Sequence, residues 1–371
     1  MSYSAVKYDW EARYQRAKTL MEERSLDALY LTAGPNQYYF SGFSGYDGGW
    51  PIWLTALIVP HEGDPEFVMT DMHADIFEYA HSPIGTEQVH LYSDGEDPSP
   101  ILEEIFDRHD LTDGRIGVEQ DQWFGDTELL RSVTTDAEIV NAQAVFDRLR
   151  MIKDDKEVEN IRKATEIATQ AFEAAVEETE VGKAEYEVAH EMSKAMLDAG
   201  AETMGQIGGM FRELRDREFE PGDILRVDNG PQYQKYSTDT GRNFFLEEVE
   251  PEHEEVYRVV ADCFEVTFEA IEPGVTCHEV HMIAEEYLNE RDYDLPWKIG
   301  HGVGLMGGHQ APLVQAGNDT ELEPGMVFVI DPGTHVPWEG RDMPITIEDP
   351  ILVTEDGAEN LGTFTHDPII I

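Results

Sequence analysis

The chain has 371 residues, 41% of them apolar and 10% aromatic, which is too long for one small core and suggests two domains. Acidic residues outnumber basic ones 77 to 26, a formal net charge of -51, which argues against nucleic acid and anionic membranes as partners. Only Cys263 and Cys277 are available as thiols, so a disulfide framework is excluded and both read as core packing.

The acids are spread along the whole chain and Lys is scarcer than Arg. This pattern reads as adaptation to a cytoplasm at molar salt, where a Debye length of about 3 Å screens surface carboxylates from one another. The charged N-terminus "MSYSAVKYDWEARYQRAKTL" has no apolar h-region, and no apolar run approaches a membrane span. The expected location is therefore cytoplasmic.

In chain order, residues 9–25 read as an amphipathic helix. "LDALYLTA" (26–33), "WLTALIVP" (53–60) and "EFVMTD" (66–71) read as buried strands. "PILEEIFDRHD" (100–110) is helical and "RIGVE" (115–119) a short strand. Alternating strands and helices make residues 1–148 an α/β domain. "LRMIKDDKEVENIRKATEIATQAFEAAVEET" reads as one long amphipathic helix, and a second helix covers about 184–199. From 224 onward strands dominate, with helices at about 252–272 and 277–291 between them, so residues 149–371 form an α+β domain.

The candidate chemistry lies at strand ends of this second half. "RVDNGPQYQKYSTDTGR" places Asp228 and Asp239 on two strands around a turn, where an antiparallel pair brings both carboxylates to one face, although an Asp beside a turn also caps it. Asp331 ends the apolar strand "VFVIDPG", and Glu348 lies inside the strand "ITIEDPILV". Carboxylates buried in such runs need a cation, a partner or a proton. His301, in "KIGHGVGLMGGHQAP", is the neutral donor. Two divalent ions would neutralise four carboxylates, and oxygen-rich ligation with one imidazole suits Mn, Co, Fe or Zn.

"DNG…STDTGR", "GHGVGL", "EPGMVFVIDPG" and "IEDPILVTEDG" together resemble the family of Xaa-Pro dipeptidases, aminopeptidase P, methionine aminopeptidase and creatinase. "RAKTLMEERSLDALYLTAGPNQYYFSGFSG" resembles the N-terminal half of its prolidase/creatinase type. The resemblance implies a pita-bread catalytic domain behind a smaller α/β domain, as a homodimer. It implies that Asp228, Asp239, His301, Asp331 and Glu348 ligate two divalent metals. A bridging water or hydroxide would attack an amide carbonyl, with Glu348 as proton shuttle and His309 stabilising the oxyanion. The implied substrate is an Xaa-Pro dipeptide or another small molecule with an amide C–N bond.

Four departures stand out. Asp331 replaces the usual Glu and is one methylene shorter. "GLMGGHQAP" carries one residue more than "GL-x-x-HE-x-P", with Gln310 in the place of Glu. No histidine precedes "GDILRVDNG"; Arg212, Arg215 and Arg217 lie there, either as a solvated loop or as readers of an acidic or amino-acid-derived substrate. Thr346 replaces the Arg of "RIED". "YYFSGFSGYDGGWPIW" (38–53) is either a turn with core aromatics or a loop whose Tyr46, Asp47 and Trp50 shape the partner subunit's substrate pocket. The departures leave open a creatinase-like or ectoine-derivative hydrolase, or a sulfonio-compound lyase; a non-catalytic binding module is a third class, disfavoured by the kept ligands.

Overall fold

The computed structural model describes residues 8–32, 34–43, 53–80, 82–203, 207–208, 216–338 and 340–371. The chain divides into two compact units, up to Leu149 and from Arg150.

Apolar runs become strands in the first unit. Its six-stranded mixed sheet has the order Val89–Tyr92, Glu66–Thr70, Ala56–Pro60, Ala28–Leu31, Arg115–Val118, Glu138–Asn141. The central strands are buried along their whole length, as sheets covered on both faces require. Leu102, Ile105 and Phe106 of the helix Ser99–Arg108 and Leu130 and Val133 of the helix Phe124–Val133 pack on Tyr30, Ile58 and Ile116. The helix Trp10–Glu23 starts at Asp9, whose side chain accepts from Ala12 N at 3.0 Å. Residues 38–41, read from sequence within an aromatic loop, close the helix Gly34–Ser41 and bury Tyr38, Tyr39 and Phe40.

The long helix expected across residues 149–179 is two helices. One ends at Met151 and the next runs Asp155–Glu178. Between them Ile152 bridges Met326 and Lys153 N donates to Gly325 O at 2.9 Å. Asp154 then opens the second helix with a capping box: its carboxylate accepts from Glu157 N at 2.9 Å, and Glu157 accepts from Asp154 N at 3.0 Å. Apolar spacing continued through the break because Ile152 stays in the core pattern. The helices Glu185–Asp198, Pro251–Glu269 and Cys277–Asn289 follow.

Strands supply the rest, antiparallel except where Ile369–Ile370 runs parallel to Thr240–Phe245. One sheet is ordered Ile369–Ile370, Thr240–Phe245, Ile224–Asn229, Ile207–Gly208. A second is ordered Gly307–Val314, Gly300–Gly304, Val327–Ile330, Asp349–Thr354, Gly357–Asn360, and Gly333–Trp338 pairs with Arg341–Thr346. One apolar cluster joins helix residues Ile167, Phe172 and Phe264 to strand residues Val227, Phe244, Phe328 and Ile351. Cys263 and Cys277 lie in it, and burial pushes their thiols up to about 12 and about 11, so neither offers a thiolate. No helix among the described residues is long and apolar enough to cross a membrane.

Lys153 is buried in this unit, donating from Nζ to Val327 O at 2.9 Å. Burial pulls its ammonium down to about 7 against the opposing pull of Glu157. An unfolded lysine titrates near ~10.4, so between these values the unfolded chain binds more protons and stability rises with pH. Wild type is therefore expected to gain on Lys153→Met from pH ~7 to ~10, by at most about 1.4 kcal/mol per pH unit, in chemical denaturation. Parallel curves across that window would contradict it.

Candidate metal centre

Strand register sets the centre. Ile224–Asn229 and Thr240–Phe245 pair so that Asp228 faces Gly241, and Gly241 in turn bridges Glu348 through two backbone bonds of 3.0 Å. Gly241 lets the two carboxylates approach, since a Cβ there would lie 3.1 Å from Glu348 Cβ and 3.2 Å from its Oε2. Glu348 sits not inside a strand, as the sequence suggests, but at the joint between Arg341–Thr346 and Asp349–Thr354. Asp239 immediately precedes Thr240, beside the buried Thr165–Thr238 hydroxyl pair at 2.8 Å.

The second sheet brings His301. Its residue pairs Val329 on one side and Leu313 on the other, and Asp331 follows directly after Ile330. His301 Nε2 lies 3.7 Å from Glu348 Oε1 and 4.0 Å from Asp239 Oδ2. Oxygen and nitrogen atoms of Asp228, Asp239 and Glu348, and of Asp239, His301 and His309, form two groups whose members all lie within 4.8 Å. Asp331 joins neither group, consistent with its shorter side chain, but its Oδ1 is buried and meets no hydrogen-bond partner among the described residues.

Electrostatics describe a centre short of positive charge. Burial, then the neighbouring carboxylates, push Asp239 and Glu348 far above the usual carboxylate range; burial does the same to Asp331, with Asp228 adding to it. Burial, then His309, pulls His301 down to about 3, so it stays a neutral donor at ordinary pH. An orphaned carboxylate oxygen, three acids whose carboxyls are pushed up by burial and then by neighbouring carboxylates, and a neutral imidazole fit divalent cations.

Arg242 fixes the floor. It is 1% exposed, grips Asp349 at 2.8 and 3.0 Å, and donates to Glu348 O at 3.0 Å and Gly241 O at 2.7 Å. The two backbone carbonyls it holds belong to the residues that set the Asp228–Glu348 approach.

The departures have structural answers. The additional residue before His309 is absorbed by register shifts after His301 and Gly302, and Met306 and His309 take left-handed conformations at φ 56° each. Gln310 Nε2 ties this turn by donating to Gly307 O at 2.7 Å and Leu305 O at 3.0 Å. His309, exposed on one side, stacks on His301 at 3.9 Å, and its N–H donates to His301 Nδ1 at 3.0 Å. Thr346 is buried and its N–H donates to Asn243 Oδ1 at 2.8 Å. Arg217 is committed to Asp223 through both terminal nitrogens, which takes it out of the substrate-reading set. Tyr46, Asp47, Trp50, Arg212 and Arg215 lie outside the described residues.

Two residues beside the centre went unnoticed in the sequence. Arg226 donates to Asp228 Oδ2 at 2.9 Å, and strand alternation, two residues before Asp228, was the available signal. Trp297 donates from Nε1 to Asp331 O at 3.0 Å, which no spacing rule announces.

Residues 159–355 match Metallopeptidase family M24, and residues 13–152 match the Creatinase/Prolidase N-terminal domain. The chain belongs to metallopeptidase family M24. An Xaa-Pro dipeptidase of Pyrococcus horikoshii is 30% identical over 352 residues, covering 92% of this chain and 94% of that protein. One of Pyrococcus furiosus is 30% identical over 94% of this chain and 97% of that protein. A dipeptidase crystal structure from Pyrococcus horikoshii superposes with a TM-score of 0.87 at 26% identity, over 97% of this chain and all of that one. The M24 assignment makes the chain a metal-dependent peptidase with a pita-bread catalytic domain and a creatinase-type N-terminal domain, and it does not favour the solute-hydrolase and lyase alternatives.

Proposed function

We propose that this M24 peptidase is an Xaa-Pro dipeptidase whose Asp228, Asp239, His301, Asp331 and Glu348 hold two divalent ions, Mn, Co, Fe or Zn. The observation that carries the reading is the convergence of Asp228, Asp239 and Glu348 beside the Asp239–His301–His309 group. When bound, such ions supply Lewis-acid polarisation of a carbonyl and a water acidic near neutral pH. Asp239 belongs to both groups and is the natural shared ligand. Glu348, buried with its Oε1 3.7 Å from His301 Nε2, is placed to move the proton from attacking water toward the leaving nitrogen. His309, anchored through its backbone to His301 and open to solvent on one side, donates to the oxygen that gains charge.

The similar Pyrococcus proteins named Xaa-Pro dipeptidase support the substrate class. A panel at molar KCl of Xaa-Pro dipeptides, the same dipeptides with Ala in place of Pro, N-acyl amino acids and amidine solutes tests it. Xaa-Pro dipeptides are expected to have the highest kcat/KM. Turnover of only N-acyl amino acids or amidines would contradict the assignment.

A further inference from the structure

Arg226 lies beside the centre on the same strand face as Asp228, two residues away. The strand register builds two parallel rows. One runs Asp228, Gly241, Glu348; in the other Arg226 faces Asn243, and Asn243 is tied to Thr346 N at 2.8 Å and Pro344 O at 2.9 Å. Thr346 thus stands two residues before Glu348, as Arg226 stands two residues before Asp228.

Packing holds the other side chains more firmly than Asp228. The Asp228 side chain is 29% exposed, against 16% for Asp239, 6% for His301 and 5% for Glu348. Its described ion-pair partner is the Arg226 guanidinium, 2.9 Å from Oδ2 and itself 21% exposed. Arg226 Nε is buried with no partner among the described residues, so the terminal nitrogen on Asp228 is a contact the side chain was spent to make.

We infer that Arg226 is a positioning residue of the metal centre, which holds the Asp228 carboxylate turned toward Asp239 and Glu348. The inference rests on the two-ion reading above. A residue that orients a ligand typically changes metal affinity by about 10–100-fold when removed. Removal of a nearby positive charge acts the other way and tightens cation binding, so the sign of the change separates orientation from simple repulsion.

The test is calorimetric titration of Mn²⁺ into metal-free wild type, Arg226→Lys, Arg226→Met and the double variant Arg226→Met/Thr346→Arg, with the melting temperature of each metal-free protein alongside. Arg226→Met is expected to weaken the weaker of the two Mn²⁺ sites by about 10–100-fold while the metal-free melt barely moves. Arg226→Lys falls between Met and wild type. The double variant recovers most of the loss, because a guanidinium from the opposite end of the row approaches the same carboxylates. Unchanged or tighter Mn²⁺ binding in Arg226→Met overturns the inference, as does a double variant no better than the single one. If Arg226→Met does not fold, wild-type affinity in Arg226→Lys overturns it. Failure of wild type to bind Mn²⁺ at all is a separate outcome, and it removes the two-ion reading itself.

Discussion

Replacing Glu348 by Gln is expected to lower kcat by about 10³-fold, the middle of the range for loss of a positioned proton-transfer group. Glu348 is 3% exposed and its Oε1 lies 3.7 Å from His301 Nε2. Burial and the charges of Asp239, Asp331 and Asp228 hold its carboxyl far above the usual range, so in metal-free protein it is protonated and Gln is close to its isostere. The metal-free melt should therefore stay level or rise in Glu348→Gln. The sign follows from linkage. An acid whose folded pKa lies above its unfolded value binds more protons when folded, so its contribution is fully present below the unfolded value and is lost as pH rises from there through the folded one. The wild-type metal-free melt should fall more steeply than that of Glu348→Gln as pH rises from about 4 toward neutrality. A variant with near-normal kcat would remove Glu348 from the chemistry. One that loses metal-free stability would show that Glu348 is charged and paired instead.

Arg242→Met should be the most damaging change to the fold. The guanidinium and Asp349 are both 1% exposed. Burial alone would push Asp349 up, but Arg242 and His366 outweigh it and hold its carboxyl below the usual range. Removing the arginine leaves a buried carboxylate with the His366 imidazole at 2.7 Å and the Asn360 amide at 3.4 Å as its described side-chain partners, and it takes away one of the two donors on each of the Gly241 and Glu348 carbonyls. Breaking such a pair costs about 3–5 kcal/mol, or roughly 10 °C in melting temperature for a unit of this size. The double variant Arg242→Met/Asp349→Leu should recover part of that, because no unpaired charge is left behind. A single variant that melts within ~2 °C of wild type would show that the pair contributes little, as exposed pairs do.

Much of this was open to sequence reasoning, for physical reasons that differ by residue. The apolar strands Ala56–Pro60 and Val327–Ile330 declared themselves because they are buried along their whole length. The ligand candidates were legible because carboxylates are costly in such runs. The break at Ile152–Asp154 was not, because Ile152 keeps helical spacing while its backbone bridges Met326. Gln310 looked like a lost acid, yet it closes the turn that accommodates the additional residue, a tertiary contact with no local signature. Arg226 went unnoticed although strand alternation puts it on the face of Asp228, because its pairing with Asn243, 17 residues on, is set by register.

The central claim is that five side chains hold two divalent ions. The most direct test is the ratio of bound metal to protein, by elemental analysis, after the chain is stripped, loaded with Mn²⁺ and desalted at molar KCl. About two ions per chain are expected for wild type, and fewer than one for Asp239→Asn, which removes the ligand common to both groups. A wild-type ratio near zero, or an Asp239→Asn ratio equal to wild type, would contradict the account.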